Sequence, residues 1–470
     1  MRRLMKSHTP LGETPPSEVS EPRTGSRRTN RRVAFVVAGL ALVLAGCGDR
    51  HLSTMDPESP IAEKLDTFLV WLLVAAAVVF VLVQGAVIYM ARRFGVKADD
   101  ESLLYADEEF PEQIHGNTRL EIGWTILPTV IMAVIAFFTL GLLFELDDVS
   151  ATDDRQIQEV VVVGQQWWWE FQYHLDDDGI PDIVTANELV LPVGEEVQLR
   201  VTSRDVIHSF WVPALNGKRD AVPGRYSPWT IEAGNPGRFP GECTEFCGLS
   251  HAYMEKFAVG MPLDDWKTWA ANQQLDAVVP EEGTAEFAGW EVFNNQCASC
   301  HVINGLTSHT ADGSLDDFSL YSNLLAGASG LEAVRQRPPA QYIDPSPAEG
   351  NSIQLAGAAP NLTHLQSRSS FAGGIFELYE NYDPSREPNV DPGCVDNGNC
   401  SISYSELAER GRLNRGALEA WIINAPEQKA NAWDSPTGQR GMTPFTSLSA
   451  EEVDNLVEFL TNMTYAEGEE

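Results

Sequence analysis

The sequence predicts a multi-domain membrane protein with a two-helix transmembrane hairpin, an all-β domain and an all-α domain. Two uncharged stretches, Thr67–Met90 and Trp124–Phe144, have 24 and 21 residues, enough to cross about 30 Å of hydrocarbon at about 1.5 Å per residue. Residues 155–262 are rich in β-branched residues and are interrupted by Pro and Gly, which is typical of strands. Apolar residues at helical spacing then recur in Ala285–Phe293 and Ala450–Asn462.

The composition excludes several classes of protein. The 470 residues carry a net charge of −35, whereas nucleic-acid binding needs a basic surface, so we expect no nucleic-acid partner. A hydrophobic share of 43% argues against a disordered acidic chain. Seven cysteines are too few for a disulfide scaffold in a chain of this length. The acidity itself is compatible with a basic partner, with salt tolerance or with simple solubility.

The N-terminal segment has the pattern of a removable signal. Four arginines between residues 27 and 32 precede the uncharged run Val33–Ala45, whose 13 residues are too few to span a bilayer. The run leads into Leu44-Ala45-Gly46-Cys47, which resembles a bacterial lipobox. We therefore expect residues 1–46 to be removed and Cys47 to carry a lipid anchor. The alternative is that Cys47 is an ordinary residue of the leader.

The charges that flank the first span predict its orientation. Arg92 and Arg93 follow it directly, and positive charge at the end of a span favours the cytoplasmic side. The loop up to residue 120 then lies inside, and everything after Glu145 lies outside, in agreement with the leader. We expect a bacterial plasma-membrane protein with its large domains on the extracytoplasmic side. The alternative, two buried helices of a soluble protein, fits the sequence poorly.

A cluster of soft ligands indicates a copper site. Cys243, Cys247, His251 and Met254 lie within twelve residues, and His208 stands 35 residues upstream of the first cysteine. Thiolate, thioether and imidazole together suit copper, whereas oxygen ligands suit calcium or magnesium. Zinc rarely recruits Met and usually has a different spacing of Cys and His. A disulfide between the two cysteines is a further alternative outside the cytoplasm.

Five segments in and around this cluster belong to one recognisable pattern: Leu120–Pro128 (LEIGWTILP), Gly164–Trp169 (GQQWWW), Asp205–Pro213 (DVIHSFWVP), Asp220–Arg225 (DAVPGR) and Gly241–Met254 (GECTEFCGLSHAYM). With these segments the chain resembles subunit II of the haem–copper cytochrome c oxidases over about residues 64–265. The resemblance implies a cupredoxin barrel that holds the binuclear copper A centre.

In that family two cysteines bridge the two coppers, two histidines bind one copper each, and a methionine and a backbone carbonyl complete the two coordination spheres. The side chain that belongs to this carbonyl residue, Glu245 here, also reaches a magnesium at the interface with subunit I, unless it is merely solvated. The residues at the six positions of this chain are His208, Cys243, Glu245, Cys247, His251 and Met254.

The resemblance also implies where electrons reach the copper. In the family, electrons enter at the position of Trp167, and Trp169 belongs to the same aromatic patch. A barrel core or a membrane-surface anchor would use the same residues. Relatives that dock a soluble cytochrome c carry acids just before the first copper histidine, whereas this chain has Arg204 beside Asp205. This difference argues against external docking at that patch.

Cys297-Ala298-Ser299-Cys300-His301 is a C-x-x-C-H motif, the attachment signature of c-type haem. Both thiols would form thioethers to the haem, and His301 would be its proximal ligand. The preceding Gly289–Phe293 resembles the N-terminal helix of class I cytochromes c, whose small and aromatic residues pack on the C-terminal helix. The resemblance implies an all-α class I cytochrome c domain.

The second axial ligand of this haem is expected to be Met442, since a thioether raises the reduction potential as an electron carrier requires. It precedes the closing helix as in the family, whereas Met463 lies too late, and His309 and His364 lie too early. The alternative role for Met442 is that of a core side chain. Ala359–Thr363 resembles the segment that gives such domains their backbone contacts to haem.

The last domain is longer than a minimal cytochrome c, so we expect surface insertions at 305–355 and 375–405. Cys394 and Cys400 fall in the second insertion, where a disulfide is expected and two free thiols are the alternative.

We assign residues 1–46 to the signal peptide with its lipobox, 47–63 to an extracytoplasmic linker, 64–92 and 121–146 to transmembrane helices, 93–120 to a cytoplasmic loop, 155–270 to the cupredoxin copper A domain, 271–284 to a linker and 285–466 to the cytochrome c domain.

Together these features predict the electron-transfer subunit of a respiratory oxidase, with no catalytic acid or base of its own. An external donor, such as a cytochrome c or the bc complex, would reduce the haem, and electrons would pass through copper A to subunit I, where O2 is reduced to water. Subunit III and membrane lipid are further expected partners. The alternatives are the corresponding subunit of a copper-A nitric oxide reductase and a stand-alone membrane-tethered carrier. A quinol oxidase is disfavoured because all six copper ligands are present.

Overall fold

The computed structural model describes most of the chain after the leader. The predictions for the signal peptide, the lipid anchor and the cysteine pair at 394 and 400 lie outside the described residues, as does most of the loop between the two spans. The described ranges are 52–94, 116–147, 155–176, 181–298, 300–306, 359–380, 412–430 and 441–466.

Two long apolar helices precede the β-domain. Helix α1 spans Pro60–Phe94 and α2 spans Thr118–Asp147, and each is long and apolar enough to cross a membrane. Both extend a few residues beyond the predicted spans, because polar end groups support additional turns. Asn117 caps α2, its side-chain oxygen accepting hydrogen bonds from the amides of residues 119 and 120. Arg92 and Arg93 lie in the last turn of α1, where positive charge is favourable.

The residues just before α1 are tied to the β-domain. The amide of Glu58 donates to the carbonyl of Ala214 at 2.7 Å, and its own carbonyl accepts from Gly234 at 2.8 Å. The hydroxyl of Ser59 donates to the carbonyl of Leu215. Ala62, in the first turn of α1, is buried as well. We call residues 58–62 the membrane-proximal strap.

The β-domain is a sandwich of two five-stranded sheets, as expected for a cupredoxin barrel. One sheet has the order β3-β2-β1-β5-β8 and the other β4-β10-β9-β6-β7. Nearly all residues of β1, β2 and β4 are buried, because both faces of these strands are covered. The strands are β1 Glu159–Gln165, β2 Trp168–His174, β3 Ile183–Ala186, β4 Glu188–Pro192, β5 Val197–Ser203, β6 His208–Trp211, β7 Arg219–Ala221, β8 Ser227–Ile231, β9 Gly237–Cys243 and β10 Glu255–Met261.

Within the described ranges, four α-helices follow the sandwich. The third, which the sequence analysis did not predict, has weak periodicity and a kink at Asn424. The first and last helices of the C-terminal domain, α4 and α6, cross at Gly289, where the rings of Phe293 and Phe459 lie 5.7 Å apart. Ser449 and Glu452 form a capping box at the start of α6. The helices are α3 Leu263–Gln273, α4 Ala285–Gln296, α5 Arg415–Gln428 and α6 Ala450–Thr461.

The prediction that residues 375–405 form a surface insertion is wrong for its first residues, 375–380. Residues 375–380 belong to the folded part of the C-terminal domain, since Leu378 is completely buried in its core and Phe376–Glu377 pairs as a strand with Ser370–Phe371. Glu377 also forms an ion pair with Arg238 of the β-domain at 2.9 Å. The lack of periodicity that suggested a surface loop reflects two-residue strands, which are too short to show one.

Candidate metal centre

The topology of the second sheet brings the distant candidate ligand to the cysteine loop. His208 is the first residue of β6 and Cys243 the last of β9. These strands pair antiparallel, with Phe210 opposite Cys243. The loop that follows is closed by a hydrogen bond from the amide of Cys243 to the carbonyl of Met254, at 3.1 Å. Residues separated by 35 positions in the sequence thus meet at one end of the sandwich.

Three possible ligands surround the sulfur of Cys243. Its Sγ lies 3.9 Å from His208 Nδ1, 3.9 Å from Cys247 Sγ and 3.3 Å from the carbonyl oxygen of Glu245. The ligand atoms of His208, Cys243 and Cys247 all lie within 4.8 Å of one another, and all three residues are buried. Both thiols are free, and their separation is about twice a disulfide bond length of about 2.05 Å, so the disulfide alternative is wrong in this structure.

The sulfur of Cys247 completes the cluster on the other side. Its Sγ lies 3.6 Å from His251 Nδ1 and 3.8 Å from Met254 Sδ. All six predicted donors therefore converge on one small volume. Two thiols, two imidazoles, a thioether and a carbonyl form a soft donor set that fits copper, and the fit needs no rearrangement of the fold.

Hydrogen bonds prepare these ligands for metal. Asp205 Oδ1 lies 2.8 Å from His208 Nε2, while its Oδ2 accepts from the amide of Gln166 at 2.7 Å. The carboxylate thus fixes the imidazole with Nδ1 towards the sulfurs. Burial opposes the charged imidazole, but hydrogen bonds to Asp205 and Cys243 outweigh it and raise the pKa of His208. The hydrogen bond between the two thiols lowers the pKa of Cys243, which favours the thiolate that binds metal.

Two glycines permit the close packing around the cluster. A Cβ atom at Gly164 would lie 2.8 Å from Cδ2 of His208. Gly248 has a φ of +119°, and its Cβ would lie 3.0 Å from the side-chain nitrogen of Gln166. A larger residue at either position would displace a ligand or the loop that carries one.

The two predicted tryptophans differ in their surroundings, since Trp167 contacts the cysteine loop and Trp169 lies in the core of the sandwich. The indole nitrogen of Trp167 donates to the carbonyl of Cys247 at 3.1 Å, and Gln166 donates to the same oxygen at 2.7 Å. Trp169 is completely buried, with its ring 5.9 Å from that of His208. Trp167 is only 5% exposed, so part of this chain, and not solvent, covers the predicted point where electrons enter.

The residues before the first histidine ligand offer no acidic docking patch. Arg204 pairs with Glu170 through a hydrogen bond of 2.8 Å, and both side chains are buried. Asp205 is occupied by His208 and Gln166. The exposed side of the cysteine loop is apolar instead, since Phe246 and Leu249 are 77% and 63% exposed. Glu245 lies next to them and is exposed as well.

The C-x-x-C-H motif follows α4 directly. The amide of Cys297 donates to Phe293, and that of His301 donates to Cys297 at 2.9 Å, so the motif continues from the helix as a turn. The Nδ1 of His301 lies 2.8 Å from the carbonyl of Pro360, which assigns the proton to Nδ1 and leaves Nε2 as the basic nitrogen. Burial lowers the pKa of His301, as suits a neutral axial ligand.

The structure gives the two C-terminal methionines different surroundings. Met442 is half-buried in the segment that precedes α6, and this segment is attached to α5 by a hydrogen bond from Phe445 to Ile423, at 2.9 Å. Met463 is buried in the domain core. His364 donates to the carbonyl of Leu275 and stacks on a tyrosine ring, which makes it a structural residue. The role of Met442 as a ligand stays a prediction.

The chain matches both parts of one protein family. "Cytochrome C oxidase subunit II, transmembrane domain" matches residues 50–142, and "Cytochrome C oxidase subunit II, periplasmic domain" matches residues 175–259. Cytochrome c oxidase subunit 2 of Alkalihalophilus pseudofirmus is 33% identical over 271 residues, which cover 57% of this chain and 75% of that protein. The chain belongs to the cytochrome c oxidase subunit II family.

Other members of the cytochrome c oxidase subunit II family match different lengths of the chain. Cytochrome c oxidase subunit 2 of Bacillus subtilis is 27% identical over 357 residues, covering 72% of this chain and 96% of that protein. The crystal structure of the periplasmic domain of subunit II from Bradyrhizobium japonicum is 29% identical and covers 27% of this chain and 97% of that domain, with a TM-score of 0.24.

Membership of the cytochrome c oxidase subunit II family gives the chain a role in electron transfer within an oxidoreductase complex. It implies a binuclear copper A site, subunit I as a partner, two membrane spans and a periplasmic domain. The resemblance to oxidase subunit II is therefore confirmed, whereas the resemblance of the C-terminal domain to class I cytochromes c stays a prediction. Sequence reasoning assigned no role to Gln166, Glu188, Lys256 or Lys429, whose functions depend on contacts between distant segments. Among them, Lys256 is completely buried beside Trp169, and burial lowers its pKa to about 7.

Proposed function

We propose that this chain carries electrons from an external donor, through a covalently bound haem c and binuclear copper A, to the haem–copper subunit I that reduces O2 to water. The observation that carries the proposal is the convergence of the six soft donors at one end of the sandwich, in a chain that also has a C-x-x-C-H motif. When bound, haem c and copper A would each accept and release one electron at a time. The residues of this chain bind them, orient them and exclude water.

The six converging residues are the copper ligands in this proposal. Bridging by Cys243 and Cys247 would spread one electron over both metals, and His208 and His251 would bind one metal each. Met254 and the carbonyl of Glu245 would complete the two spheres. Because β6, β9 and the hydrogen bond of Asp205 hold the ligands in place, little movement is needed when the charge of the site changes.

The exposed apolar side of the cysteine loop is the surface we assign to subunit I. Phe246 and Leu249 are large and exposed, and such side chains close together favour a protein interface. Glu245 directly precedes Phe246 in the cysteine loop and is exposed. We propose that its carboxylate binds a magnesium ion shared with subunit I. Carboxylate oxygen is a ligand that magnesium prefers.

The C-terminal domain is proposed to bind haem c through Cys297, Cys300 and His301, with Met442 as the distal ligand. The hydrogen bond from His301 to Pro360 supports this assignment, because it orients the imidazole for axial ligation. The packing of α4 on α6 resembles that of class I cytochromes c. Since the match to the Bacillus subtilis protein covers 72% of the chain, it extends beyond the last strand of the β-domain.

Further parts of the proposal rest on sequence motifs. We infer a signal peptide over residues 1–46 and a lipid anchor at Cys47. Subunit III, and a cytochrome c or the bc complex as donor, complete the expected partners. The acid-rich composition supports a basic donor, although the same composition is found in salt-adapted proteins.

A reduced-minus-oxidised spectrum of the purified complex tests the proposed function. Haem c, a near-infrared copper band and haem a together are the expected result. Haem c and copper without haem a would instead support a nitric oxide reductase subunit or a stand-alone carrier, and oxygen or nitric oxide consumption by the complex separates these two. Absence of haem c would contradict the role of the C-terminal domain.

A further inference from the structure

Two buried charged residues tie the C-terminal domain to the β-domain beside Trp167. We define the docking segment as residues 364–377. It contacts β4, β10 and Trp167, the residue just before β2. The segment follows the part of the chain that contacts His301 through Pro360. The segment therefore lies in the chain just after a contact of the proposed haem ligand, and it contacts the β-domain that holds the proposed copper ligands.

The first buried charge is Glu188, at the start of β4. Its carboxylate accepts hydrogen bonds from the amides of Ser369 and Ser370, both at 2.9 Å, and from the hydroxyls of the same two residues. Glu188 is only 2% exposed. All the hydrogen bonds that the structure describes for this carboxylate come from the docking segment. A carboxylate buried on one domain and satisfied entirely by another is a specific recognition feature, because undocking would leave it without these partners.

The second buried charge is Lys429, just after α5. Its Nζ donates to the carbonyl of Trp167 at 2.8 Å and to the carbonyl of Ala372 at 2.9 Å. The side chain is 5% exposed. It therefore joins the backbone of the predicted electron-entering tryptophan to the docking segment with one group. Gly373 packs at the same point, since a Cβ there would lie 2.8 Å from the carbonyl oxygen of Trp167.

Further contacts surround this pair. Arg238 and Glu377 form an ion pair at 2.9 Å, and the amide of Glu255 donates to the carbonyl of Gly373 at 2.9 Å. The hydroxyl of Ser250, in the cysteine loop, donates to the carbonyl of Ala430. These contacts are polar, and the side chains of Glu188, Lys429 and Arg238 are buried in them, which favours a permanent contact over a transient encounter.

We propose that Glu188 and Lys429 are positioning residues that hold the C-terminal domain permanently on the β-domain and thereby close Trp167 to soluble donor proteins. Electrons would then reach this tryptophan only from the C-terminal domain. The route that we assign to electrons rests on the proposed function, whereas the docking of the C-terminal domain does not. The tethered domain also needs no diffusional encounter, since it is already in contact.

Hydrogen exchange of the full chain in detergent tests the docking. The amides of Ser369, Ser370 and Glu255 are expected to be protected in the unaltered protein. Glu188→Gln places a side-chain NH2 group against the N–H and O–H donors of Ser369 and Ser370, and Lys429→Met removes two hydrogen bonds. Each substitution is therefore expected to accelerate exchange at the three backbone amides by about tenfold or more. Lys267→Met, which removes an exposed positive charge on α3, is the matched control and should leave exchange unchanged.

Unchanged exchange in both Glu188→Gln and Lys429→Met would overturn the proposal. If Glu188→Gln does not fold, Ser370→Ala removes one hydroxyl of the same cluster from the opposite side and decides the question, with a smaller acceleration of about threefold expected. Exchange is measured without reference to any cofactor. A protein that lacks haem or copper therefore contradicts the proposed function, while the exchange result still decides the docking.

A second measurement separates positioning from simple structural support. In the assembled complex, Lys429→Met is expected to slow electron transfer from haem to copper while the absorption bands of both centres keep their positions. Restored transfer in Lys429→Arg, which keeps a donor at this position, would support the role of the two hydrogen bonds. An unchanged transfer rate in Lys429→Met would contradict the positioning role.

Discussion

His208 shows how single residues prepare the copper site. Its ring is completely buried, one nitrogen lies next to the thiols, and the other lies 2.8 Å from Asp205. The carboxylate thus selects the tautomer and the ring orientation that a metal requires. Gly164 has no side chain, which leaves room for the same ring.

At this scale we predict that Asp205→Asn weakens copper binding by about 10- to 100-fold, because the amide no longer fixes the imidazole of His208 with a negative charge. Competition with a copper chelator, followed through the near-infrared band, measures the change. Asp220→Asn, at an exposed aspartate on the neighbouring strand β7, is the control and should retain its copper. Equal affinities for the two variants would contradict the role of Asp205.

The six candidate ligands could be named from the sequence, because five of them lie in one short loop whose donor chemistry suits copper, and the structure brings all six together. Glu188 and Lys429 were not predictable. Each looks like an ordinary surface charge in the sequence, and only the fold shows that the carboxylate meets Ser369 and that the amine meets Trp167.

Among the elements, the crossing of α4 and α6 determines the shape of the C-terminal domain. The helices approach so closely at Gly289 that a Cβ there would lie 2.0 Å from the carbonyl oxygen of Asn455. This pair was predictable from its small and aromatic residues. Helix α5 was not, since its apolar residues lack clear periodicity and Pro426 interrupts it.

We expect Gly289→Ala to destabilise the C-terminal domain by about 1–3 kcal/mol, because the added methyl group forces the two helices apart. Thermal unfolding of the purified chain measures the effect. Gly416→Ala in α5 is the matched control, as nothing lies within 4 Å of its Cβ position. It should leave stability unchanged or raise it by about 0.5–1 kcal/mol. Equal melting temperatures for the two variants would disprove the close crossing.

The contact between the linker and the docking segment predicts a dependence on pH. His364 donates to the carbonyl of Leu275, and burial lowers its pKa from 6.5 to about 4. Between these values the unfolded chain binds more protons than the folded one, so stability is lost as the pH falls from 6.5 to about 4.

The loss from this one residue amounts to about 3 kcal/mol at most. His364→Asn removes the titrating group and tolerates the left-handed backbone at this position, where φ is +57°. Chemical unfolding at several pH values should therefore show a smaller decline for this variant than for the unaltered chain. Parallel declines would show that another group is responsible.

For the molecule as a whole, the contact between the C-terminal domain and the β-domain would separate electron transfer within the chain from electron entry at its outer surface, if the proposed function holds. Glu188 and Lys429 are buried in this contact, and the chain as a whole is acid-rich. The order of domains was predictable from their motifs. Their arrangement was not, because it depends on single contacts between segments more than 180 positions apart.

We predict that transfer from haem to copper within the chain is insensitive to ionic strength between about 0.01 M and 1 M, since buried groups are little screened. Transfer from a basic soluble donor to the C-terminal domain should slow over the same range if the acidic surface attracts it. Stopped-flow spectroscopy resolves the two steps. An internal step that slows with salt would falsify permanent docking.

The membrane-proximal strap gives the β-domain a second mechanical support. The domain is connected to α2 by the chain that follows this helix, and Glu58 and Ser59 fasten it to the beginning of α1 as well. A domain attached at two points is restrained from tilting more than a domain on a single tether. We therefore expect the proposed copper ligands to keep a nearly constant distance from the membrane-spanning helices, and electron transfer to subunit I to keep a nearly constant path length.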